Sequence, residues 1–238
     1  MLYALVKPVV FGLLRLVFGF RTTGTERVPA QGAVILAANH VSFLDPPVVG
    51  AGAPRPLDFM AKAELFRIPL LGPLIRALNA HPVEREGADA GALRHALLLL
   101  RQGRALLVFP EGTRGTPGTL GRGRPGAGML AAHSEAPVVP VYVRGTGEVL
   151  PRGATRPRRG RITVVYGAPL RFTRSRGKQR YQEISDQIMA AIGRLKAEVE
   201  RAPAPVTSVV TKHAENAARG PRPAGQIHST GGTQEWNT

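Results

Sequence analysis

The residue pair best suited to proton transfer is His40 and Asp45, within Asn39-His40-Val41-Ser42-Phe43-Leu44-Asp45-Pro46. Imidazole accepts a proton near neutral pH, and a neighbouring carboxylate fixes its tautomer and stabilises the imidazolium that forms. Five positions apart, the two side chains would diverge on a regular helix, so they can meet only across a turn. Asp45-Pro46-Pro47 disfavours helix at that point and is expected to supply the turn. No G-x-S-x-G motif occurs, and the chain has no cysteine. The pair would therefore activate a hydroxyl of a substrate rather than one of the protein, which points to direct transfer. Taken alone, a His near an Asp also fits a purely structural turn.

A second segment, Phe109-Pro110-Glu111-Gly112-Thr113-Arg114, carries complementary chemistry. Gly112 permits close backbone approach, the Thr113 hydroxyl and main-chain amides can donate to an oxyanion, and Arg114 can hold a phosphate through two parallel hydrogen bonds. In isolation a tight turn with a surface arginine is the alternative. His81, His95 and His133 are scattered and lack metal-ligand spacing with His40, so they are expected to be structural or surface residues. The missing cysteines exclude disulfides, thiolate catalysis and Cys-based metal sites.

Both segments directly follow short β-prone runs, AVILAA and ALLVF. A strand end followed by a turn is where α/β proteins place reacting groups, because the sheet fixes the backbone while side chains reach a cleft. Strands are expected at Ala33–Ala38, Asp58–Ala61, Pro82–Arg85, Ala105–Phe109, Val138–Val143 and Ile162–Tyr166. Helices are expected in part of Phe66–Leu78, over Ala88–Gln102, around Met129–His133 and over Lys178–Glu200. The last of these carries Tyr181, Ile184, Ile188, Ile192, Leu195 and Val199 on one face, and should close the core. This alternation reads as an α/β fold with a single domain over 21–200, since 238 residues are too few for two full catalytic domains. Beyond Arg201 the pattern stops, and the Pro-, Gly-, Ser- and Thr-rich stretch 201–238 is expected to be a disordered tail.

Residues 1–20 are dense in apolar side chains at helical spacing, with Leu2, Leu5, Val6, Val9, Val10, Leu13, Leu14, Val17 and Phe18 along one side. A helix of this length spans roughly 28 Å, yet Lys7 and Arg15 in mid-segment make a lone membrane span costly. A helix lying in the membrane interface, with both cations reaching toward headgroups, is the expected reading. A single span, a signal peptide and an ordinary core helix are the alternatives.

Lys and Arg outnumber Asp and Glu by 32 to 16, which favours polyanionic surroundings such as anionic membrane, phosphorylated substrates or nucleic acid. Pro151–Arg180 alone holds nine Arg, one Lys and no acid. It is a candidate headgroup- or phosphate-binding surface, with a solvated loop face as the alternative. A basic nucleic-acid-binding module is the competing function from another class, but aromatics are few and no RNA or DNA motif accompanies the cluster.

The two chemical segments, roughly seventy residues apart, together resemble the glycerolipid acyltransferase family typified by 1-acylglycerol-3-phosphate O-acyltransferase. That family's first motif is N-H-x4-D and its third is F-P-E-G-T-R followed by Ser or Gly. Lys62-Ala63-Glu64-Leu65-Phe66, with Pro69, Gly72 and Arg85, resembles the second block, and Val138-Val139-Pro140-Val141 the fourth. The four blocks occur in the family's order between about Gly24 and Gly167.

The resemblance implies a single mixed-sheet acyltransferase domain. His40 would be the general base and Asp45 its orienting partner. Arg85, Glu111, Gly112, Thr113 and Arg114 would line the acceptor site, Lys62 would add charge near it, and Pro140 would shape the acyl-donor side. Gly115 stands where Ser is common, and NAHPVERE around Arg85 is more polar than the family's usual strand. The implied reaction moves a fatty acyl group from an acyl-CoA or acyl carrier protein thioester to lysophosphatidic acid, giving phosphatidic acid. Other lysolipids or glycerol 3-phosphate are the alternative acceptors. No cofactor or metal and no nucleic-acid partner is implied, and the expected location is the cytoplasmic side of the cell membrane, peripheral or monotopic.

Overall fold

In the computed structural model, which describes residues 2–83 and 89–201, the elements follow in the order α1 (Leu2–Phe18), β1 (Arg21–Thr23), β2 (Val34–Ala38), α2 (Asp45–Gly52), β3 (Asp58–Lys62), α3 (Leu71–Ala77), β4 (Ala80–Val83), α4 (Asp89–Arg101), β5 (Ala105–Val108), α5 (Pro125–Ser134), β6 (Val138–Arg144), α6 (Thr146–Val149), β7 (Thr163–Tyr166) and α7 (Lys178–Arg201). Short 3₁₀ turns cover Thr25–Arg27 and Ala63–Arg67. All seven strands enter one sheet in the order β1-β7-β6-β2-β5-β3-β4. Strands β6, β2, β5, β3 and β4 run parallel, while β7 is antiparallel to β6 and carries β1 parallel to itself. The fold is thus α/β with a single mixed sheet.

Parallel neighbours need crossovers, and right-handed crossovers place helices by the direction in which the chain moves across the sheet. The steps β2 to β3 and β3 to β4 move one way, so α2 and α3 share a face; β4 to β5 and β5 to β6 move back, so α4 and α5 take the other. The central strand β2 is buried throughout and serves both layers. Val34, Leu36 and Ala38 meet Leu14 and Phe18 of α1 and Val48 and Val49 of α2. Ile35 and Ala37 belong instead with Leu99 of α4, Leu130 of α5 and Ile184, Ile188 and Ile192 of α7. A strand buried on both faces reads as a continuous apolar run, as AVILAA does.

Each of the six expected strands is present. The third, expected at Pro82–Arg85, already begins at Ala80 and is described as far as Val83; Arg85 lies outside the described residues, as does the expected tail from 202 onward. Strand β1 escapes a periodicity search because Arg21-Thr22-Thr23 is short and polar; it is held by pairing with Thr163-Val164-Val165. The larger correction concerns Asp45-Pro46-Pro47, which opens α2 instead of opposing helix. Proline is tolerated in a first helical turn because those amides have no intrahelical acceptor, and its fixed φ suits the helix.

Helix α1 also departs from a one-sided apolar segment. Leu14 and Phe18 are buried in the core, with Val10 and Phe11 packed against it. Leu5, Val9, Leu13, Leu16 and Val17 point away from the protein, between 51% and 85% exposed. Among the described residues no helix is long and apolar enough to cross a membrane.

Candidate active site

Strand β2 ends at Ala38, and the next residue already pins the sheet. The Asn39 side-chain amide donates to the Val143 carbonyl (3.0 Å) and its oxygen accepts from the Val143 amide (2.7 Å), so the start of the His40 loop is tied to the end of β6. His40 follows, half-buried, with its ring stacked on Phe109 at 4.0 Å between centroids.

Asp45, at the first position of α2, turns back toward this loop. One carboxylate oxygen accepts from the Val41 amide (2.6 Å) and the Ser42 amide (2.8 Å) and lies 2.8 Å from His40 Nδ1. The other accepts from the Thr146 hydroxyl at 2.6 Å. The carboxylate is wholly withdrawn from solvent, so these four contacts replace water completely. With the carboxylate on Nδ1, the ring proton resides there and Nε2 keeps its lone pair for an incoming hydroxyl. The turn that the five-residue spacing demands therefore exists, built from Val41–Leu44 and closed by the helix start.

Ser42, the hydroxyl nearest in sequence, is committed elsewhere. It donates to the Leu150 carbonyl (2.9 Å) and accepts from the Leu44 amide (3.3 Å). It holds the loop and leaves His40 without a serine partner from this motif.

The second segment reaches the same place from β5. Glu111 is buried, and its carboxylate accepts the His40 amide (3.0 Å) on one oxygen and the Gly121 amide (2.9 Å) on the other. The Gly115 amide donates to the His40 carbonyl at 2.7 Å. His40 is thus gripped through its own backbone by Glu111 of the second segment and by Gly115 directly after it. Glu111, expected to line the acceptor site, acts here as a clamp between two loops. Gly112 adopts φ +69°, a backbone conformation that L side chains rarely take, so glycine is favoured there; a Cβ would meet only the movable end of the Arg124 side chain. Thr113 is exposed beside it, and Arg114 is half-buried with its guanidinium 3.8 Å above the Phe43 ring.

Of the remaining expected residues, Lys62 ends β3, exposed, at the same edge of the sheet. Pro140 is buried in mid-β6 opposite Ala37, away from the strand ends, and its carbonyl accepts from the Gly167 amide. Thr146, 101 residues from Asp45, has no local sequence signal, and only the fold places it beneath the carboxylate.

Behind the His40 loop lies a cavity of about 150 Å³ lined by Asn39, Val41, Pro117, Thr119, Tyr142 and Arg144, among others. Burial pushes the Tyr142 hydroxyl up to about 12, with Glu200 adding to the effect, so it stays neutral at physiological pH.

A His whose Nδ1 is bound to a buried carboxylate, clamped to a glycine-bearing turn with an arginine close by, suits acyl transfer to a hydroxyl. The family model described as Acyltransferase matches residues 19–144, slightly more than half of the chain. The chain belongs to the acyltransferase family.

Over 194 residues the acyltransferase is 27% identical to the 1-acyl-sn-glycerol-3-phosphate acyltransferase of Bacillus subtilis, covering 79% of this chain and 94% of that one. A chloroplastic 1-acyl-sn-glycerol-3-phosphate acyltransferase of Arabidopsis thaliana is 30% identical over 152 residues, which make up 62% of this chain and 42% of the plant protein. In fold, it is similar to the crystal structure of the 1-acyl-sn-glycerophosphate acyltransferase of Thermotoga maritima, with a TM-score of 0.70, 25% identity and coverage of 85% and 83% of the two chains.

Proposed function

We propose that this acyltransferase moves a fatty acyl group from an acyl thioester to the free hydroxyl of a 1-acylglycerol 3-phosphate, giving phosphatidic acid. The relatives' names support the substrates, and the observation that carries the mechanism is the 2.8 Å contact of His40 Nδ1 with buried Asp45, which leaves Nε2 as the proton acceptor. As the acceptor oxygen attacks the thioester carbonyl carbon, Nε2 takes the hydroxyl proton. The tetrahedral oxyanion then collapses, the carbon–sulfur bond breaks, and the departing thiolate takes the proton back from Nε2. Atoms and charges balance with the two substrates alone.

Arg114, beside the catalytic loop, is the proposed holder of the acceptor phosphate, with Lys62 and Arg85 as further cations and Thr113 at the same turn. Fixing the phosphate turns a bimolecular encounter into a positioned attack, worth several kcal/mol when alignment is good. The acceptor and product both reside in a bilayer, and the exposed stripe of α1 is the proposed contact with it, at the cytoplasmic face.

The test is to incubate purified protein with lysophosphatidic acid, glycerol 3-phosphate or lysophosphatidylcholine, each with acyl-CoA or acyl carrier protein donors, and to quantify lipid product and free thiol by mass spectrometry. Equimolar phosphatidic acid and thiol is expected. Thiol release without acylated lipid, or acylation confined to another acceptor, would overturn the substrate assignment.

A further inference from the structure

The basic stretch of the sequence is divided by the fold. Thr163 pairs with Arg144 at the end of β6, whereas Leu170 bridges to Val138 at its start. Arg152, Arg156, Arg158, Arg159 and Arg161 therefore sit at the edge of the sheet that carries His40, and Arg171, Arg174 and Arg176 follow at the opposite edge. The segment 150–161 contains no acidic residue. All five of its arginines are exposed, and none forms a side-chain hydrogen bond or ion pair among the described residues. Five like charges within ten positions repel one another, so their counter-charges must come from outside the protein.

Two contacts say what lies on either side of this loop. Leu150 accepts the Ser42 hydroxyl of the catalytic turn at 2.9 Å. At the other end, the Ile162 amide donates to the Phe18 carbonyl (3.2 Å), and the Arg161 side chain passes within 3.9 Å of where a Cβ on Gly19 would stand. The loop thus bridges the catalytic turn and the last turn of α1, where Leu16 and Val17 are exposed. An apolar helical turn flanked by uncompensated arginines is the composition that interfacial segments present to an anionic bilayer.

We infer that the arginine loop 150–161 is a docking surface for anionic lipid headgroups, which seats the mouth of the active site on a negatively charged membrane. This rests on the proposed contact of α1 with a bilayer and holds whichever lysolipid is the acceptor. The charges are spread over an exposed loop beside an apolar turn, which fits an extended surface better than a single bound nucleotide. Helix α1, with its exposed apolar stripe, supplies the binding that neutral lipid supports, and the loop adds most of the increment that anionic lipid elicits. Because a phosphorylated acceptor is itself anionic, the same loop enriches substrate at the mouth.

The experiment compares two full-length variants that each lose five cations. One carries Arg152, Arg156, Arg158, Arg159 and Arg161 all changed to Gln; the other carries Arg171, Arg174, Arg176, Lys178 and Arg180 all changed to Gln. Sedimentation is measured with phosphatidylcholine vesicles with and without phosphatidylglycerol. The first variant is expected to lose the phosphatidylglycerol increment, with at least about a tenfold fall in partition coefficient, while keeping its binding to phosphatidylcholine. The second is expected to keep most of the increment. In the unmodified protein the increment should fade at about 0.5 M salt, where the Debye length is only a few Å. R156E/R159E is a smaller change that reads the same increment should the fivefold variant misfold. Equal losses in the two variants would reduce the effect to net charge and overturn the inference, as would wild-type binding by the first. A raised KM for acyl-CoA in non-ionic micelles, with vesicle binding unchanged, would assign the loop to the donor's phosphates instead. Turnover in those micelles reads the acyltransferase reaction and phosphatidylcholine binding reads α1, so failure of either earlier proposal is seen separately.

Discussion

The molecule contains two histidine–aspartate pairs of nearly equal length, and they lie at opposite edges of one sheet. His40 Nδ1 meets Asp45 at 2.8 Å beyond the end of β2, and His81 Nε2 meets Asp58 at 2.7 Å near the starts of β4 and β3. What separates them is the rest of each network. Asp45 receives two backbone amides and a threonine hydroxyl, all neutral donors, and the far nitrogen of His40 has no hydrogen-bond partner among the described residues. Asp58 is gripped by Arg104 through Nε at 2.7 Å and a terminal nitrogen at 2.6 Å, and the far nitrogen of His81 is taken by His95 Nε2 at 3.1 Å. A histidine with both nitrogens engaged, beside a carboxylate already neutralised by an arginine, has neither a site for a hydroxyl nor an uncompensated charge to stabilise an imidazolium. Proximity of His to Asp does not make a base; an open nitrogen and an unspent carboxylate do.

The largest expected effect comes from removing that open nitrogen. His40→Ala should lower kcat by roughly 10²-fold to 10⁴-fold or more while the protein still unfolds cooperatively, because general-base assistance is lost. Asp45→Asn should come close to it, since the tautomer and the charge partner are lost together. Steady-state rates on lysophosphatidic acid, with circular dichroism to check the fold, decide the matter. A folded His40→Ala protein retaining most of its turnover would remove the base from the mechanism.

Next in size is the proposed acceptor side of the same edge. Arg114→Ala should cost about 1.5 to 3 kcal/mol, or roughly 10-fold to 150-fold in kcat/KM for a phosphorylated acceptor, through loss of a charge-assisted contact. The loss should be much smaller for an uncharged acceptor of the same chain length. Equal losses for both acceptors would place Arg114 in support of the loop through Phe43 rather than on the phosphate.

Local sequence was enough to reveal the strand-then-turn placement of both motifs, because β2 and β5 are buried on both faces and read as unbroken apolar runs. It was also enough to pair His40 with Asp45, since the five-residue gap admits only one way to meet. Four things were not legible. Asp45-Pro46-Pro47 reads as a break in isolation but opens α2, because the rule that expels proline from helices does not apply to the first turn. Glu111 looks like a substrate-facing acid, yet both its oxygens are spent on backbone amides that only the juxtaposition of two loops supplies. Thr146 and the His81–Asp58–Arg104 cluster depend on strands distant in sequence that the sheet order sets side by side. The apolar run 1–20 was legible as a helix, but its division into a buried and an exposed stripe was not, since both stripes are built from the same residue types.

A similar exposed stripe sharpens the comparison with less chemistry at stake. Substituting Asp for Leu5, Val9 and Leu16, which face away from the core, should release the protein from phosphatidylcholine vesicles. Turnover in non-ionic micelles should change little, because each side chain is more than two-thirds exposed and contributes little to the core. Vesicle binding equal to that of the unmodified protein would move the contact elsewhere.

The smallest effect on catalysis is expected at the other histidine–aspartate pair. His81→Ala takes one contact from Asp58, but both of its oxygens remain bonded to Arg104, so the buried carboxylate stays satisfied. The loss should be about 1 to 2 kcal/mol of stability, the net worth of a hydrogen bond to a charged group whose partner is partly exposed. For a folded unit of this size that is a fall of several degrees in Tm, with kcat/KM within about twofold of the unmodified enzyme. Urea unfolding followed by circular dichroism, alongside turnover of lysophosphatidic acid, measures both quantities on one preparation. Asp58→Asn should be more damaging to stability than His81→Ala, because it also strips Arg104 of its counter-charge, and it should still spare turnover in whatever fraction is folded. A His81→Ala protein that is fully folded yet inactive would make the two pairs equivalent and undo the distinction drawn from their far nitrogens.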